Sequence, residues 1–172
     1  MARVLKIPSD VQHVTTGVRA ETFGSGVYRT VIDLEGLTLP TIAGGANLAV
    51  GRRIFTFPAG TCKVLGSSLK GLTLQETDGN VTADTPDVGL GTTIASGAVA
   101  VLGGTAAFEN IHTGQTAADV NGTALNNAVS TTLAIQVGDS HDVFLNVADG
   151  WAASGDAGII VGGRVVIIWA EL

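Results

Sequence analysis

Apolar and polar positions alternate along much of this chain with the period of two that marks a half-buried strand. In Val27–Leu34 the residues Tyr28, Ile32 and Leu34 share a face with Thr30 between them, while Arg29 and Asp33 point the other way. A second strand, Arg52–Phe57, is stopped by Pro58-Ala59-Gly60, and a third starts at Thr61 and runs to Leu65 or on to Leu74, so the two predict a hairpin-like corner. Alternation returns at Thr131, Leu133, Ile135 and Val137, and again at Val143, Leu145 and Val147, with a turn at Gly138-Asp139-Ser140 between them. The chain closes with Gly158–Val161 and Arg164–Trp169 on either side of Gly162-Gly163, which predicts a hairpin with a two-glycine turn. Its last strand is apolar on both faces and is expected to be central in a sheet or covered from outside.

Other stretches carry weaker patterns. Glu76–Asp87 reads as an acidic surface loop, Val88–Ala95 and Ala98–Leu102 as short strands of small residues, and Thr105–Ile111 as a helical turn. The first 26 residues hold Pro8, Thr15-Thr16, Gly17, Gly24 and Gly26 without a sustained period, which predicts an extended arm with one short helical turn begun by Ser9 or Asp10.

Composition narrows the fold. Valine, isoleucine and threonine number 20, 11 and 20, and 24 glycines interrupt the chain so often that its longest stretch free of glycine and proline, Thr123–Val137, has 15 residues. β-branching on that scale favours strands, and no room is left for long helices or for the crossover helices of a parallel α/β sheet. The expected fold is all-β: an antiparallel β-sandwich, jelly-roll-like, over residues 27–172, with residues 1–26 as an N-terminal arm whose removal over residues 2–20 should leave the sandwich folded.

The net charge of -6 is uneven. Residues 1–70 carry eight basic side chains against four acidic ones, and residues 71–172 carry Arg164 alone against eleven acids. The two parts can pair within an oligomer, or the first can dock on an acidic surface. A pI near 4.8 argues against nucleic acid as a partner, and no apolar run approaches the ~18 residues of a membrane span. The start of the chain shows no apolar core of a secretory signal, so Asn80-Val-Thr and Asn121-Gly-Thr are not expected to carry glycans. Cys62 has no partner for an internal disulfide and alternates as a small buried apolar residue would.

Catalytic patterns are missing. His13, His112 and His141 lack metal-ligand spacing, and His141 and Asp142 alternate to opposite faces of a strand. Ser96-Gly97 and Ser154-Gly155 lie in glycine-rich turns rather than a nucleophile elbow, and Gly103-Gly104-Thr105 lacks the lysine of a phosphate loop. Asp78, Asp84 and Asp87 are the acids that could converge for glycoside hydrolysis, while Tyr28, Trp151 and Trp169 are the rings that could stack on a sugar. The reading is a non-enzyme with no cofactor or metal. Charged residues are only 14% of the chain and mean hydropathy is +0.41. A surface that apolar is expected to be buried against other subunits.

Three blocks carry a family resemblance: Val50-Gly-Arg-Arg-Ile-Phe-Thr-Phe-Pro-Ala-Gly60, Thr85-Pro-Asp-Val-Gly-Leu-Gly-Thr92, and Val143-Phe-Leu-Asn-Val-Ala-Asp-Gly-Trp151 followed by Gly163-Arg-Val-Val-Ile-Ile-Trp169. In these the chain resembles the decoration or cement proteins on the heads of tailed bacteriophages. The resemblance implies a jelly-roll sandwich, commonly a homotrimer, on the outer surface of the virion capsid, where it binds the major capsid protein and stabilises the shell. Head-fiber or tail-associated modules that bind a host glycan are the alternative. No catalytic residue carries over. The contact residues expected on this reading are Arg3, Lys6 and Arg19 of the arm, with Arg52 and Arg53 beside the first corner.

Overall fold

The computed structural model describes residues 10–104, 107–125, 141–151 and 157–172. They form an antiparallel β-sandwich of ten strands: β1 (Asp10–Thr15), β2 (Val18–Ser25), β3 (Val27–Thr38), β4 (Ala49–Thr56), β5 (Cys62–Glu76), β6 (Asp87–Gly91), β7 (His112–Thr116), β8 (Asn121–Leu125), β9 (Asp142–Ala148) and β10 (Ile159–Glu171). One sheet has the order β1-β2-β3-β10-β5-β8 and the other β4-β9-β6-β7. From β3 onward the strands pair from the outside of the chain inward: β3 with β10, β4 with β9, β5 with β8 and β6 with β7. This is one long antiparallel ribbon. Folding the ribbon over itself adds the pairings of β10 with β5 and of β9 with β6.

The inward residues of both sheets form one core. Ile32, Leu34, Leu69, Leu72, Val165 and Ile167 of the large sheet meet Ile54, Phe55, Val88, Val143, Leu145 and Val147 of the small one. Burying aliphatic side chains of this size contributes about 1.5–3 kcal/mol each. Trp169 closes one end, stacked on Tyr28 at 4.4 Å, met edge-on by Phe57 at 5.3 Å, and donating its indole N–H to Thr30 Oγ1 at 2.9 Å.

Several expectations are corrected. Residues 10–25, read as part of an extended arm, form the β1–β2 hairpin on the edge of the large sheet, and Asp10 opens a strand rather than a helical turn. Val18 and Ala20 are buried, so a deletion reaching residue 20 would open the core. The alternation here is real but short, with Val18, Ala20 and Thr22 inward and Arg19 and Glu21 outward. β4 and β5 do not form a hairpin: Pro58–Gly60 carries the chain from one sheet to the other. Ala98–Leu102 is not a strand, and a 3-10 turn occupies Leu102–Gly104. Gly162-Gly163 is no turn either. Both glycines lie inside the single strand β10. The alternating stretch at Thr131–Val137 and its turn lie outside the described residues.

The two sheets differ in what covers their outer faces. On the small sheet the outward positions at Ala49, Gly51, Gly89, Gly91 and Ala148 are small, and the β6–β7 connection lies on this part of the face, adding a second apolar cluster of Ala49, Ala95, Leu102, Phe108 and Ala148. A Cβ on Gly91 would stand 2.2 Å from the Ala107 carbonyl oxygen, so only glycine permits this approach. Nothing among the described residues covers the large sheet in the same way.

Candidate functional site

The outer face of the large sheet is the most distinctive surface. β10 is central there, between β3 and β5, and its outward residues Arg164, Val166, Ile168 and Ala170 stand beside Asp33, Val31, Arg29 and Val27 of β3. Val27 is 56% exposed and Val11, farther out on β1, 43%. Two depressions flank Ile168. One, of about 270 Å³, is lined by Phe23, Val27, Tyr28 and Arg29, and the other, of about 220 Å³, by Gly66, Ser68 and Val166. Two ion pairs lie along this apolar band: Arg164 donates to Asp33 at 2.5 Å, and Arg19 pairs with Glu21. That pairing lifts the Arg164 pKa further above its ordinary value.

The expected contact residues do not converge. Arg19 belongs to the outer face of the large sheet. Arg52 reaches across from β4 to the Thr38 carbonyl at 3.0 Å, and Arg53 lies 3.4 Å from Asp142, which also accepts from Thr56 at 2.7 Å. Arg3 and Lys6 lie outside the described residues.

Other candidates have structural work. His112 is fully buried, with Nδ1 2.8 Å from Ser67 Oγ, and that hydroxyl donates to the Ile111 carbonyl. Its Nε2 has no partner among the described residues. Trp151, a candidate for stacking on sugar, is buried, and its indole donates to the Leu48 carbonyl at 2.9 Å. Cys62 is buried as expected, and its thiol pKa is pushed up by burial and then by the charge of Glu171. The three acids do not all converge. Asp78 accepts from the Gly158 N–H and the Thr77 hydroxyl, which hold its carboxyl below the usual range. Asp84 and Asp87 instead neighbour Asp149, whose pKa is raised by burial first and then by their charges. Among the described residues, no three of His, Cys, Asp and Glu gather closely enough to hold a metal ion.

Sequence reasoning missed Glu76 and Asn146. Glu76 was read as the start of a solvated loop, yet it is buried, and its Oε2 accepts the N–H groups of Val81 at 2.6 Å and Asn80 at 3.1 Å. Asn146 was passed over inside an apolar strand. An uncharged amide on the outward face of an otherwise apolar run was its only signal.

Burial lowers the His112 pKa, so the unfolded chain binds this proton more readily than the folded one. Stability should therefore fall as pH drops below about 6.5, with a slope of at most about 1.4 kcal/mol per pH unit from this group. Urea unfolding of His112→Leu between pH 7.5 and 5.5 should show a shallower acid-side loss than the parent chain. Equal slopes would mean that the imidazole is not the titrating group.

No protein-family model matches the chain, and no curated protein matches it. Among solved structures, the cyanophage Pam1 capsid asymmetric unit aligns over 100% of this chain and 98% of the matched chain, with 17% identity and a TM-score of 0.37.

Proposed function

We propose that this chain is a non-enzymatic structural subunit of a phage virion, a cement or decoration protein that binds the major capsid protein on the outside of the head. The observation that carries the reading is the uneven covering of the two sheets: the β6–β7 connection lies over the small-residue part of the small sheet's outer face, whereas no such connection among the described residues lies over the large sheet, whose outer face carries an apolar band with the exposed Val27 and Val11 and the half-buried Ile168. Such a band is costly to leave in water and is stabilised by a neighbouring subunit. The resemblance blocks support the reading, since they fall on the framework strands β4, β6, β9 and β10. We also read the outside-in pairing of β3–β10 as a jelly roll, which is a folded antiparallel ribbon of eight strands in two sheets.

On this proposal the protein acts by mass action. It binds the assembled shell and not its dissociated subunits, and so raises the shell's resistance to heat or expansion. The homotrimer remains part of the proposal. Among the contact residues, Arg19 borders the open band, while Arg52 and Arg53 lie on the other sheet and would serve a second contact.

Peptide mass spectrometry of purified virions tests the location, with a copy number commensurate with capsid symmetry expected. Val27→Glu tests the face. Val27 is 56% exposed, so the substitution should change stability by less than about 0.5 kcal/mol, while occupancy on shells that lack the protein should fall at least tenfold. Full occupancy by the variant would remove the face from the proposal. A glycan array losing its signal on Tyr28→Ala would instead favour the glycan-binding alternative.

A further inference from the structure

At the end of the sandwich where Trp169 packs, a cavity of about 260 Å³ opens between the sheets, walled by Tyr28, Phe55, Pro58 and Trp169 and edged by Asp10 and Glu171. Each acid is held in place. Tyr28 donates its hydroxyl to Glu171 Oε2 at 3.1 Å, and Gln12 donates one amide to both Asp10 Oδ2 and the Thr56 carbonyl, each at 3.0 Å. β1 supplies Asp10, β4 supplies Phe55, and β10 supplies both Trp169 and Glu171, so the cavity exists only where these strands meet. Among the described residues, no basic side chain lines it.

We infer that this cavity is a binding site for the side chain of a lysine or arginine on a partner polypeptide, with the aliphatic stem against the aromatic wall and the cationic head between Asp10 and Glu171. The chemistry matches on both counts. Lysine and arginine carry an apolar stem and a charged tip, which match an apolar wall edged by two carboxylates. A sugar fits less well. Tyr28 and Trp169 stack on each other rather than offer an open face, and the Tyr28 hydroxyl and Trp169 indole are already donating to Glu171 and Thr30. This inference does not depend on a virion role, because it requires no capsid.

The full chain tests it in solution, with the Trp169 indole N–H signal as the reporter and Trp151→Phe used to assign it. Acetyl-lysine methylamide and acetyl-arginine methylamide at low ionic strength should shift that signal saturably. The uncharged norleucine analogue should bind at least tenfold more weakly. Asp10→Asn combined with Glu171→Gln removes both charges without removing a wall, and should weaken the lysine probe at least tenfold at unchanged melting temperature. Equal binding of norleucine, undiminished binding by the double variant, or no shift with tens of millimolar probe would each overturn the site. Carbodiimide coupling in a mixture of light and heavy isotope-labelled chains separates the sources. A mixed-isotope link from Lys6, Lys63 or Lys70 to Glu171 would identify a second copy as the donor, a link confined to one isotope would place the chain's own lysine in the cavity and overturn the partner reading, and probe binding with neither link would favour a different polypeptide.

Discussion

Gly163→Ala should destabilise the sandwich by about 3–5 kcal/mol, with a fall in Tm of about 10 °C. Two penalties coincide. Gly163 has φ +112, where L side chains are strained, and a Cβ there would stand 2.5 Å from the Gly71 carbonyl oxygen and 2.8 Å from Leu72 Cα. Both obstacles are backbone and cannot turn aside. The neighbouring strands explain why. On β5, Gly71 at φ +55 and Leu72 face the single residue Gly163, and on β3, Gly36 at φ +77 is the extra residue between partners of Val161 and Gly162. Left-handed glycines thus bulge both flanking strands along one line, and the glycines of β10 let the sheet bend there. Gly150→Ala is the control, since a Cβ there meets nothing within 4 Å and no positive φ is involved. A Gly163→Ala chain as stable as the control would show that the bend tolerates a side chain.

Asn146→Ala should cost about 2–4 kcal/mol and act locally. Asn146 is fully buried on β9; its Oδ1 accepts the Ala95 N–H at 2.9 Å, and its Nδ2 donates to the carbonyls of Thr93 at 2.9 Å and Phe108 at 2.7 Å. One side chain therefore ties both limbs of the β6–β7 connection to the sheet beneath. Truncation leaves a donor and two acceptors without partners, and buried groups in that state carry most of the penalty. Amide exchange at Ala95 should accelerate well before global unfolding, and the urea midpoint should fall. Protection at Ala95 equal to the parent chain would mean that the apolar contacts of Leu102 and Phe108 suffice to hold the connection.

The strands easiest to read were those with one wet face. Tyr28, Thr30, Ile32 and Leu34 face inward and Arg29 and Asp33 outward, and Val143, Leu145 and Val147 are fully buried. Where both faces are covered, alternation loses its meaning. The small residues of β6 read as a weak strand because Gly89 and Gly91 make room for a loop above them. The paired glycines of β10 misled for a related reason: Gly-Gly in isolation signals a turn, but pairing with β3 and β5 on both sides keeps this segment within one bent strand. The hairpin β1–β2 escaped detection because its inward face holds only Val18, Ala20 and Thr22 on β2, too short a run to establish a period.

The candidate site was legible only in part. An excess of apolar residues and a shortage of charge were plain from composition, and the doubly apolar last strand, expected to be central or covered from outside, is central. Which residues stand together was not. Tyr28, Asp10, Phe55 and Glu171 are far apart in the chain and meet because β1, β4 and β10 end at the same rim. By itself, then, the order of residues determined strand chemistry, the exclusion of helices and the apolar character of the whole, since these follow from side-chain shape and local periodicity. Tertiary structure alone decided that the β6–β7 connection would lie over part of the small sheet's outer face, because covering depends on which distant segments come to lie against a strand, and no local pattern encodes that.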